Sequence, residues 1–179
     1  MRRRPLLLGL AALAPSRAAA QGNDWQIVVA PNLRFRLDMP TPVARTTADE
    51  KEKGHVGARQ AWSAKRGGDM FDFDFVDYDP EWFSTRDTKE MARQLGRGDA
   101  EKAFPPAKYK YVRDEPIVLQ GWDGYALDIE DGSGALVMMR TYIVRDRLYR
   151  MLVTARGDVE SRADANRFLS SLRLAETRP

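Results

Sequence analysis

The stretch that decides the fold is Leu136–Val144 (LVMMRTYIV), then Arg145-Asp146, then Arg147–Ala155 (RLYRMLVTA). With Arg145 and Asp146 as a tight turn, these are two strands of one hairpin, and a period of two sorts their side chains. One face gathers Leu136, Met138, Tyr142, Tyr149, Met151 and Val153; the other gathers Val137, Met139, Ile143, Leu148 and Leu152. Both faces are apolar, broken only by Arg140, Thr141 and Arg150. An antiparallel sheet with one wet face alternates cleanly, so this hairpin predicts a sheet covered on both sides. The expected class is α+β: a mainly antiparallel sheet flanked by helices on both faces.

Strand signals continue upstream. Tyr125–Glu130 and the turn Asp131-Gly132-Ser133-Gly134 lead into the hairpin, and Tyr109–Gln120 before them is extended, with Pro116 marking an edge or a kink. Val56–Lys65 and Met70–Tyr78 flank the turn Arg66-Gly67-Gly68-Asp69, and Asp79-Pro80 ends the second of them. There, Phe71, Phe73 and Phe75 alternate with Asp72 and Asp74. That acidic second face places the strand toward a sheet edge or beyond helix cover. Trp25–Val29 and Leu33–Leu37 form an opening hairpin around Pro31-Asn32, stopped by Pro40 and Pro42; the charged stretch 46–54 (TTADEKEKG) reads as a loop.

Two helices are expected. The first runs from Asp87 to Leu95, with Asp87 and Glu90 at capping-box spacing, an apolar stripe of Met91 and Leu95, and Gly96 as its stop; Asp99–Phe104 adds a helical turn before Pro105-Pro106. The second runs from about Glu160 to Ser171, where Ala165, Phe168, Leu169 and Leu172 share a face and Ser161 with Asp164 has cap spacing.

The first twenty residues read as a secretory signal peptide: Arg2-Arg3-Arg4, the apolar run Leu6–Ala14, and Ala18-Ala19-Ala20 as cleavage site. The apolar run is too short to span a bilayer, which takes about 20 residues. This predicts a periplasmic or secreted protein, cleaved near Ala20, with no stable membrane anchor and one globular domain over 21–179. The leader also corrects the charge. The chain has 29 basic and 26 acidic residues, but residues 1–20 hold four arginines and no acids, so 25 basic residues remain against 26 acidic. At a net charge of −1, a nucleic-acid or anionic-membrane partner has no support. There is no cysteine, so packing alone must hold the fold in an oxidising compartment.

Leu119-Gln120-Gly121-Trp122-Asp123-Gly124-Tyr125, the meander with Arg140-Thr141-Tyr142 and Arg147-Leu148-Tyr149, and the closing run Asn166–Leu174 (NRFLSSLRL) carry a resemblance, as does the early Phe35–Pro40 (FRLDMP). Together they resemble the small exported or lipid-anchored domains of the PsbP-like fold. That fold is named for an extrinsic subunit of the photosynthetic oxygen-evolving complex, and a Ran-binding nuclear import factor is similar. The resemblance implies an α/β/α sandwich and a role in binding or assembly without catalysis. The chain lacks the cysteine of the lipid-anchored relatives, and no functional residue of the family is carried over.

Candidate chemistry is sparse. Asp72 and Asp74 lie on one strand face about 7 Å apart, a spacing open to paired acid/base carboxylates or a Ca²⁺ site, and equally to a solvated face opposite three phenylalanines. Asp128–Gly132 lacks the ordered acids of a calcium loop and reads as a hairpin turn. His55 is the only histidine, so no histidine-based metal site is expected, and no serine has a nucleophile-elbow context. Trp122, Tyr109 and Tyr111 are candidate interaction residues, because aromatics are enriched at interface hot spots; burial would account for them as well. The function expected is a non-catalytic binding or accessory protein that contacts an envelope protein and needs no cofactor. One alternative is a small-molecule or lipid carrier with a cavity between sheet and helix, lined by Met70, Met91, Met138, Met139 and Met151. The other is a hydrolase built on Asp72 and Asp74.

Overall fold

Seven strands form one antiparallel sheet in the computed structural model, which describes residues 24–30, 34–48, 57–103 and 109–178, the side chains at 99, 102 and 103 excepted. The expected signal peptide over residues 1–20, the turn at Pro31-Asn32, His55, most of the charged stretch, and Phe104-Pro105-Pro106 lie outside the described residues.

In chain order the elements are β1 (Trp25–Val29), β2 (Phe35–Pro40), β3 (Val43–Ala48), β4 (Arg59–Arg66), β5 (Asp69–Asp77), α1 (Pro80–Ser84) and α2 (Thr88–Ala103). There follow β6 (Tyr109–Leu119), β7 (Trp122–Asp131), β8 (Leu136–Val144), β9 (Arg147–Ala155), α3 (Val159–Ser171) and β10 (Arg173–Leu174). The large sheet has the order β3-β4-β5-β9-β8-β7-β6; β1, β2 and β10 form a second, three-stranded sheet. The deciding hairpin pairs in the expected register, Tyr142 opposite Tyr149 and Met138 opposite Val153.

Its two faces feed two cores. Leu136, Met138, Tyr142, Tyr149, Met151 and Val153 join Phe71, Phe73 and Phe75 beneath the small sheet and α3. On the opposite face, Ile143 and Leu148 pack with Phe83, Met91 and Ala92 of α1 and α2, and Val137 and Met139 pack with Ala100. The sheet is covered on both sides, and the fold is α+β. No helix among the described residues is long and apolar enough to cross a membrane.

Several expectations need correction. The Phe71 strand is not at an edge: β5 lies inside the sheet, between β4 and β9. Its acidic face is admitted because Asp74 accepts from Arg59 on β4 and Arg150 on β9, neutralised from both neighbours. That face does lie away from α2, which packs over β7 and β8. Gly96 does not stop the first helix. It lets α2 approach the sheet, where a Cβ would lie 3.3 Å from Thr141 Oγ1. Asp87 does cap α2, accepting from the Lys89 and Glu90 amides, but the Glu90 carboxylate turns to Arg93 and Gln94. The cap of α3 is Asp158, which accepts from the Ser161 amide at 2.8 Å, and Asp164 instead binds Arg66. After the cis Thr41–Pro42 peptide the chain resumes as β3, an unexpected strand whose last three residues, 46–48, fall in the stretch read as a loop.

Candidate functional site

The β6–β7 turn is Gln120-Gly121 and the β8–β9 turn is Arg145-Asp146, and they lie at the same end of the sheet. Gln120 and Arg145 both hold φ near +55° (51° and 58°), conformations that L side chains rarely adopt. At Gln120 the side chain stabilises the turn. Its amide nitrogen donates to the Leu174 and Glu176 carbonyls at 3.0 and 3.4 Å, and its Oε1 accepts from the Leu174 amide at 2.7 Å. The Gln120 carbonyl accepts from the Arg178 amide at 3.0 Å. Gly121 (φ 86°) is needed beneath this contact, since a Cβ there would sit 2.9 Å from Cβ of Arg178.

Residues 174–178 therefore cross the sheet end as a strap. Its arginine reaches inward: Arg178 Nη1 donates to Asp123 Oδ2 at 2.9 Å, and the guanidinium lies 5.8 Å from the centre of the Trp122 ring. Thr88, the first residue of α2, donates its hydroxyl to the same oxygen at 2.6 Å. The Trp122 indole N–H is buried and meets no acceptor among the described residues. Arg145 pairs with Glu176 at 2.7 Å across the outside of the strap.

Beside the strap opens a groove of about 440 Å³, floored by Phe83, Trp122 and Ile143 and rimmed by Thr88, Arg145 and Arg178. Of its two carboxylates, Asp123 and Asp146, Asp123 is buried. Burial pushes its pKa up, but the hydrogen bonds from Thr88 and Arg178 and the Arg178 and Lys89 charges together outweigh this and hold it below the usual carboxylate value. A depressed folded-state pKa stabilises above the unfolded value of about 3.9, and that contribution is lost as pH falls through the folded pKa. Asp123 is thus a fixed anion at neutral pH. It orients cations and is not poised to exchange a proton.

Of the residues singled out from sequence, Trp122 alone lines this groove. Asp74 is buried, its Oδ2 held by Arg59 at 2.8 Å and its Oδ1 by Arg150 at 3.0 Å. Asp72 is half-buried, and burial followed by the Asp74 charge raises its pKa. Tyr109 and Tyr111 are half-buried on β6, packed against the Ala100 cluster; Arg97 stacks on Tyr111 at 5.1 Å. Asp131 turns its carboxylate onto its own loop, accepting from the Ser133 and Ala135 amides. Met91, Met138, Met139 and Met151 fill the cores and Met70 is 39% exposed, so methionines do not line the groove. Sequence reading missed Thr88, Gln120, Asp123, Arg145 and Arg178. Gln-Gly between two strand runs is a turn signal, but nothing local shows that Thr88 and Arg178 meet at Asp123.

No protein-family model matches the chain, and no curated protein does. Among solved structures, the chain is similar to cyanobacterial PsbP (CyanoP) from Synechocystis sp. PCC 6803. The TM-score is 0.57 at 8% identity, over 92% of this chain and 98% of that one. A protein of unknown function from Pseudomonas aeruginosa, PA94, aligns over 73% of this chain and 81% of its own at 16% identity, with a TM-score of only 0.33. What the first of these establishes is architecture: the chain has the PsbP-like fold.

Proposed function

We propose that the chain is an exported, non-catalytic binding or accessory protein that engages an envelope protein partner at the groove beside Trp122. The observation that carries this is the make-up of the groove. An aromatic floor of Phe83 and Trp122 is rimmed by Arg145, Arg178 and Asp146, the apolar-centre, polar-rim, arginine-rich make-up of interface hot spots. The engaged state of Asp123 supports binding over proton transfer. The leader-like start and the near-neutral remainder of the chain support an envelope location. The test is site-specific photo-crosslinking with benzoylphenylalanine at position 145 of the full chain in cells. A discrete protein adduct is expected that weakens at least tenfold with Trp122→Ala. No more adduct than from a probe at the exposed Thr154 would sink the reading.

A second reading, a small-molecule carrier, draws on the groove's position between α1, α2 and the sheet and on its volume, within the roughly 300–1,000 Å³ of ligand sites. Ligand retained by the purified protein in native mass spectrometry would favour it. Asp72, one of the two acids of the hydrolase reading, carries a stability prediction instead. Because the folded state raises the Asp72 pKa, ionisation of Asp72 opposes folding above that pKa and has no effect below the unfolded value. Asp72→Asn is therefore expected to raise the denaturation midpoint at pH 7, with no gain near pH 3. A loss of stability at pH 7 would contradict this account of Asp72 as a tolerated structural acid.

A further inference from the structure

We infer that residues 174–178 hold the place of a partner: the channel beneath them takes an extended peptide with an apolar side chain and, four residues on, an arginine. This rests on the reading that the groove is a binding site, and it specifies the occupant. Three observations converge on it.

The strap is held as a bound peptide would be. Arg173 and Leu174 add an edge strand to β2, opposite Arg36 and Phe35, and the Ala175 amide donates to the Arg34 carbonyl at 2.9 Å. Edge-strand addition through main-chain hydrogen bonds is a recurring mode of peptide recognition. Gln120 likewise reads backbone alone, bonding both polar groups of Leu174. Such contacts accept many sequences.

Two side chains supply selectivity. Leu174 is 7% exposed, in the main core. Arg178 enters a socket made of the buried Asp123 carboxylate, the Thr88 hydroxyl and the Trp122 ring. Guanidinium against a buried carboxylate and an aromatic face combines charge-assisted hydrogen bonding with cation–π attraction.

Separate cavities also flank the strap along its length. The groove at Trp122 is bounded by Arg178; a second cavity of about 440 Å³ is bounded by Leu174 and Ala175 beside Phe35; a third, of about 30 Å³, by Leu174 and Glu176. With the strap lifted, its footprint joins them. Its outer tethers are weak, since Ala175 and Thr177 are exposed and the Arg145–Glu176 pair is a surface ion pair. A segment tethered in cis competes at millimolar effective concentration, which sets a threshold for any outside peptide.

The probe is a fluorescein-labelled peptide of residues 172–178 (LRLAETR), followed by anisotropy with the full chain. Arg178→Glu and the milder Arg178→Ala, each confirmed as folded by circular dichroism, are expected to bind it at least tenfold more tightly than the unaltered protein. Adding Asp123→Asn, or replacing the peptide's arginine with alanine, is expected to remove that gain. Equal affinity for altered and unaltered protein overturns the inference, as does a gain that survives Asp123→Asn. Failure here alongside a discrete adduct from position 145 would leave the groove a partner site and rule out peptide exchange.

Discussion

Replacing Phe73 with alanine is expected to lower the unfolding free energy by about 3–5 kcal/mol, the usual cost of emptying a buried aromatic site. Phe73 is fully buried and joins two layers. Its ring lies 4.6 Å from Phe35 of the small sheet, 5.7 Å from Trp62 on β4 and 6.1 Å from Tyr149 on β9. Removing it takes away apolar burial together with two tilted and one stacked ring contact, and neighbours anchored in two sheets cannot collapse into the space. Urea denaturation measures this directly. A shift below 1 kcal/mol would mean that the layers are held elsewhere. Ile27→Ala is the contrast: Ile27 is 63% exposed, and a change within about 0.5 kcal/mol is expected.

Asp128→Ala is expected to cost a similar amount, about 3–5 kcal/mol, for an opposite reason. Arg140 enters the hairpin face that is otherwise Leu136, Met138 and Tyr142, and it is 6% exposed. Both of its terminal nitrogens donate to Asp128 on the neighbouring strand, and Nη1 also donates to the Met139 carbonyl. Without Asp128 the guanidinium keeps its desolvation penalty and loses its counter-charge. The diagnostic experiment is the double variant Asp128→Ala, Arg140→Met, expected to recover most of the loss because an apolar chain suits that site. If the double variant is no better than the single one, packing of Asp128 matters more than its charge.

These two residues also mark how far the sequence could be read. The apolar faces of 136–155 and the alternation of Phe71, Phe73 and Phe75 are local patterns with one geometric solution, so the covered sheet was legible. The pairing of Arg140 with Asp128 was not, because cross-strand register is settled by turns as much as by composition. Gly96 reads as a stop by local chemistry, and only the neighbouring Thr141 makes it a contact residue. Val43–Ala48 is half-buried only at Val43 and exposed beyond it, and so lacks the alternation that would announce a strand. The five residues of α1 are too few for helical periodicity. At the groove, Trp122 was visible as an aromatic between glycines. Its companions Thr88, Arg145 and Arg178 converge from distant points in the chain, and no spacing rule links them.

Hydrogen bonding between Asp38 and Ser171 spans 133 positions, and the small sheet draws its third member from the same late region. On a ribosome the slot that receives Phe35 therefore stays open until nearly the whole chain has emerged. Non-local closure of this kind makes for slow folding.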